Sequence, residues 1–222
     1  TMGNMSVNKL GGLSLILGPV VSIISFLVRP GGGLVGGNVD PADSAASIGV
    51  LLQNSGSAGI SFLLLSIGLV IMLFGLSVLV NNLKDGEGLA SGRIGLLFVL
   101  LGTAGWLIAV AGSLTIAGGS IPAVATQSIG AVYAASLGVN VLSGIIAAIG
   151  FTFVVLGLLA SGKYNKSFTL LVLVLQVVVL VTSVMAGNDL SFLQTASMIA
   201  GGAYVVTVIY LAAIGRSMMS EG

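Results

Sequence analysis

Residues 94–162 read IGLLFVLLGTAGWLIAVAGSLTIAGGSIPAVATQSIGAVYAASLGVNVLSGIIAAIGFTFVVLGLLASG, and no Asp, Glu, Lys or Arg interrupts them between Arg93 and Lys163. A helix needs about 20 predominantly apolar residues, each rising about 1.5 Å, to cross a hydrocarbon core about 30 Å thick, so this stretch holds two spans and a turn. Gly118-Gly119-Ser120-Ile121-Pro122 marks the turn, because glycine and proline punctuate helices. Working outward, four further stretches qualify. The six expected spans cover about 10–28, 59–80, 94–117, 134–160, 168–187 and 193–215, and none contains a charged residue. The first stretch is not followed by an A-x-A-type cleavage site and is read as a retained span.

Composition requires the same class. Hydrophobic residues make up 56% of the 222 and charged residues only 6%, against about 25% charged in an ordinary soluble domain. That composition cannot build a water-facing skin, so lipid serves as solvent over most of the surface. The expected fold is an all-α six-transmembrane-helix bundle, one membrane domain over residues 1–222.

Orientation follows from the basic residues. Lys9, Lys84, Arg93, Lys163, Lys166 and Arg216 fall on one side of a six-span arrangement and Arg29 alone on the other. Both termini are therefore expected in the cytoplasm, with a prokaryotic cytoplasmic membrane as the expected location. The longest loop then lies outside and opens with Arg29-Pro30-Gly31-Gly32-Gly33. Within it, Asp40-Pro41-Ala42-Asp43 reads as a helix start, with Asp40 as N-cap, Pro41 at the first helical position and an acid in the first turn. A short outer-face helix over 44–52 should follow, ended by Gln53-Asn54-Ser55-Gly56-Ser57 before the second span.

The chain also matches itself. Ile67-Gly68 and Gly75-Leu76 recur as Ile149-Gly150 and Gly157-Leu158, and Lys9 with Gly18 recurs as Arg93 with Gly102. Two explanations stand: repeated helix hairpins, or coincidence in a chain rich in Gly and Leu.

The missing residue types narrow the chemistry. With no His and no Cys, the usual general base, the thiolate nucleophile and the commonest metal ligands are gone, and no cofactor is expected. A net charge of +1 without a basic cluster gives nucleic acid no cationic face. Spans without ionisable residues lack the signature of proton- or ion-coupled transport. Asp40, Asp43 and Asp189 read as helix caps rather than as a weak cation site. Gly86-Glu87-Gly88-Leu89-Ala90-Ser91 reads as a solvated turn, since the final glycine of a dinucleotide loop is absent and no strand precedes it.

One positional pattern remains. Ten residues inward from Lys9, Arg93 and Lys166 lie Pro19, Thr103 and Gln176, with Trp106 near the same depth. Together with Asn140 they either form a midplane site for a small neutral ligand or serve helix packing alone. Small residues at helical spacing, such as Gly68 and Gly75, Gly105 and Ala109, Ala134 and Gly138, Gly144 and Ala148, mark faces for close helix approach, within the chain or against a partner or second copy. The expected function is that of a non-enzymatic accessory, assembly or structural subunit of a membrane complex. The alternative is a passive channel or uncoupled carrier for a small neutral solute.

Overall fold

The structure, a computed structural model, describes residues 6–32, 37–83, 87–118 and 126–221, with the side chains at 126, 127 and 221 set aside. Seven α-helices account for most of them: α1 Val7–Val28, α2 Ser44–Gln53, α3 Ser55–Asn81, α4 Leu89–Ala117, α5 Thr126–Ser161, α6 Lys166–Asn188 and α7 Leu193–Glu221. All but α2 are long and apolar enough to cross a membrane, which is compatible with a multi-pass membrane protein. Leu17, Ile67, Leu101, Val174 and Ile209 are exposed on the outside of the bundle, where lipid rather than water is the fitting solvent. The expected turn over Gly119-Ser120-Ile121-Pro122 and the segment Lys84-Asp85-Gly86 lie outside the described residues.

The spans pack as a ring. Each lies against two neighbours in the order α1, α3, α4, α5, α6, α7 and back to α1. The first and last spans meet at Gly12 and Gly215, where the two backbones touch. At the same end Asn82 Nδ2 donates to Asn8 Oδ1 (3.2 Å) and Lys163 Nζ donates to the Asn82 carbonyl (2.7 Å). Arg29 lies beyond the opposite end of α1.

Two crossings share one geometry. A methyl at Gly18 would fall against the Met72 amide and Gly68 carbonyl, and one at Gly68 against the Gly18 carbonyl and Ser22 amide. A methyl at Gly95 would likewise meet the Val154 amide and Gly150 carbonyl, and one at Gly150 the Gly95 carbonyl and Val99 amide. Small residues let the backbones close to this distance. By packing, then, Gly18 corresponds to Gly95. The sequence match had paired it with Gly102, two turns further on, which instead faces Ser143 and Ala147.

The short helix in the long loop is present but starts later than expected. Its N-cap is Asp43, whose Oδ1 accepts from the Ala46 amide (3.0 Å), while Asp40 Oδ1 accepts from the Ala42 amide (2.9 Å) in the preceding turn. Pro41 therefore stands in that turn and not in the helix. The break before the second span is also shorter: Asn54 alone separates α2 from α3, and Ser55–Ser57 are already helical. α2 packs over the ends of α3, α4 and α5, burying Leu51 with Ala58, Phe62 and Val110.

Candidate functional site: a cavity inside the helix ring

The half of the ring toward Lys163 is solid. Leu15, Leu76, Leu79, Val154, Leu158, Ile214 and Met218 pack there with almost no exposed surface. From that floor toward Arg29 the ring encloses a cavity of about 310 Å³, reached by side chains from all six spans and from the loop around Pro30 and Pro41. Such a volume lies at the lower end of the about 300–1,000 Å³ usual for small-molecule sites. Along α1 the cavity runs from Pro19 to Arg29, ten residues and therefore about 15 Å of helix.

Its body is apolar and aromatic. Trp106 meets Tyr204 edge to face, with centroids 6.3 Å apart and planes at 89°, and Phe151 lies 6.3 Å from the same tyrosine. Pro19 contributes its ring to the wall, and because it has no N–H it leaves the Leu15 carbonyl without its helical donor. Several polar groups on the wall have nothing to bond. Ser22 Oγ and Arg29 Nε are buried without a partner, and neither the Asn140 amide nor the Trp106 indole N–H forms a hydrogen bond among the described residues.

The rim is held by two interactions. Tyr133 Oη, on α5, donates to the Pro41 carbonyl (2.7 Å) and ties the loop across the mouth. The Arg29 guanidinium stacks on Phe26, its central carbon 4.1 Å from the ring centroid. Burial lowers the Arg29 pKa from its usual value, and Tyr133 partly offsets this. The residue stays cationic all the same, since arginine is not deprotonated in proteins.

Against known proteins, the chain matches no family model, no curated protein and no solved structure. The site must therefore be read from its own chemistry.

The five midplane residues are not all brought together. Pro19, Trp106 and Asn140 line the cavity; Thr103 and Gln176 are fully buried elsewhere. Gln176 stands behind the wall, its Nε2 donating to Thr207 Oγ1 (2.8 Å), which in turn donates to the Ala203 carbonyl (2.9 Å). Thr207 is the member of that chain that reaches the cavity. Thr103 Oγ1 and Gln176 Oε1 have no partner. Counting depth from a basic residue sets the level of a side chain but not its direction around the helix.

Arg29, Ser22, Tyr133 and Tyr204 were missed as site residues. Arg29 did carry a signal. It is the single basic residue that departs from the distribution of the other six, a departure that serves no topological purpose and so invites a local one. Among the described residues no three acids group closely enough to hold a metal. Asp189 caps the turn ahead of α7, its Oδ1 accepting from the Ser191 amide (2.9 Å) and hydroxyl (2.7 Å).

Proposed function

We propose that this chain is a non-enzymatic membrane protein that binds a small solute inside its helix ring and carries or presents it without ion coupling. The observation that carries this reading is the cavity walled by all six spans and backed on one side by a packed apolar half. An open pore needs a wet path through both halves; the packed half favours a carrier or receptor with one-sided access over a channel. The absence of charge from the spans removes the group that would couple movement to protons or ions. With both termini cytoplasmic, as the basic residues favour, the cavity opens outward. The matched crossings at Gly18 and Gly95 favour descent of the α1–α3 and α4–α5 pairs from one duplicated hairpin.

An accessory role draws on a different face. Gly130, Ala134 and Gly138 on α5 are exposed at helical spacing, and methyl groups at the two glycines would meet nothing. Most of the other small-residue pairs are consumed by packing within the chain, including Gly68, Gly75, Gly105, Ala109 and Ala148. Native mass spectrometry separates the two readings: a co-purifying subunit lost on Gly138→Leu substitution favours the accessory role.

The carrier reading is tested by thiol labelling, which has no background because the chain has no Cys. Asn140→Cys should react with a membrane-impermeant maleimide applied from the Arg29 side, and Val154→Cys should not. Equal protection of both positions removes the one-sided cavity and the reading with it.

A further inference from the structure

We infer that the cavity takes an amphipathic monoanion, its acid group paired with Arg29 at the rim and its apolar body lying along Trp106 and Tyr204. The inference rests on the solute-binding reading above and adds the chemical class of the solute. It replaces the small neutral ligand that the sequence offers as one alternative.

Three observations converge on it. First, the cation is built in but unanswered. Arg29 lines the cavity, its Nε has no partner, and no carboxylate pairs with it among the described residues. The acids of the neighbouring loop, Asp40 and Asp43, are engaged by the Ala42 and Ala46 amides. Stacking on Phe26 covers one face of the guanidinium plane and uses none of its in-plane donors, of which the terminal Nη groups, unlike the buried Nε, are left for a ligand. A guanidinium offers two parallel donors, a geometry that suits the two oxygens of a carboxylate or of a related acid group. A buried charge without a counterion is unfavourable, so an arriving anion gains by supplying one.

Second, the remainder of the site is wrong for a small hydrophilic anion. Below the rim Leu69, Met72, Trp106, Phe151 and Tyr204 lead a mostly apolar wall, with the Asn140 amide and Ser and Thr residues of α1, α4, α5, α6 and α7 as scattered polar points. One charged end and one apolar body match that division. Third, a single cation limits the ligand to a single compensating charge. Arg29 is the sole Lys or Arg among the described residues that line the cavity.

Trp106 is the chain's one tryptophan, so its emission reports the cavity alone. The test uses the full chain in phosphatidylcholine nanodiscs, titrated with dodecanoate, dodecanol and dodecyltrimethylammonium. Dodecanoate should change Trp106 emission saturably, with at least tenfold tighter binding than either of the other two. Arg29→Gln should weaken dodecanoate at least tenfold and leave dodecanol unchanged, while Arg29→Lys should retain part of the preference. If Arg29→Gln does not fold, Arg29→Lys and the comparison of acid with alcohol in the native chain decide the matter. Competition by phosphatidylglycerol added to the nanodisc supports the same chemistry with lipid as the source; lack of competition supports a free acid. Equal affinity for acid and alcohol overturns the anion inference while leaving solute binding in place. No response of Trp106 to any of the three overturns both.

Discussion

Gly12 and Gly215 close the helix ring, each lying where a methyl group would strike the other's carbonyl oxygen. They join the first span to the last, so the cavity between the spans depends on a contact between residues near the two ends of the chain. Gly12→Val should destabilise the protein by about 1–3 kcal/mol through overpacking against backbone that cannot yield. The loss should appear as a lower midpoint of thermal unfolding in detergent. Gly49→Ala is the matched control, because a methyl there meets nothing; it should stabilise α2 by about 0.5–1 kcal/mol.

The equivalence of the Gly18 and Gly95 crossings makes a paired prediction. Gly18→Val and Gly95→Val should lower the unfolding midpoint by similar amounts, since each methyl meets an amide and a carbonyl of the partner helix. Gly130→Ala, where the space is open, should leave the midpoint unchanged or raise it slightly. A Gly95 variant as stable as wild type would break the equivalence.

Thr103 and Gln176 should behave as packing residues. Thr103→Val removes a buried hydroxyl without a partner, so stability should hold or rise by about 1 kcal/mol. Gln176→Leu removes one interhelical hydrogen bond, worth about 0.6 kcal/mol in a membrane bundle. Solute binding read from Trp106 should be unaffected by Thr103→Val and change less than twofold in Gln176→Leu. A tenfold loss in Gln176→Leu would make Gln176 more than a support for Thr207.

The caps set a local prediction. Asp43→Ala should destabilise α2 by about 1 kcal/mol, seen as faster amide exchange over 44–53. Asp40→Ala should cost less there, because its carboxylate serves the turn and not the helix start.

Asp189 gives the one pH dependence expected at the α6–α7 junction. Its hydrogen bonds to the Ser191 hydroxyl and amide hold its pKa below the ordinary 3.8. A carboxylate depressed in the folded state contributes stability that is fully present above its unfolded pKa and is lost as pH falls through the folded one. Exchange over 190–192 should accelerate below about pH 4 in the native chain, and Asp189→Asn should abolish that dependence.

How much of this was legible in the sequence varies by element. The spans were, because crossing a bilayer depends on summed hydropathy over a window: each expected span falls within a helix that extends beyond it at one end or both. The cap of α2 slipped from Asp40 to Asp43, since both acids precede the helix and only the path of the turn, with Asp43 N donating to the Asp40 carbonyl, selects between them. The self-match pairs Gly68 on α3 with Gly150 on α5, which take the same kind of contact, but it selects Gly102 on α4, where Gly92, Gly95, Gly102 and Gly105 offer several registers. Contact with Gly150 picks Gly95.

By itself the sequence determined six apolar spans, the distribution of basic residues that favours cytoplasmic termini, and the lack of His, Cys and intramembrane charge. Those are sums over local stretches and need no knowledge of neighbours. Only the tertiary structure decided which polar groups share a space. The spans are apolar on every face, so periodicity does not mark the inward side of a helix. That side is set by where backbones approach, at Gly12 with Gly215, Gly18 with Gly68 and Gly95 with Gly150. Those contacts turn Pro19, Trp106 and Asn140 into one cavity, leave Thr103 and Gln176 behind its wall, and bring Arg29 over its mouth.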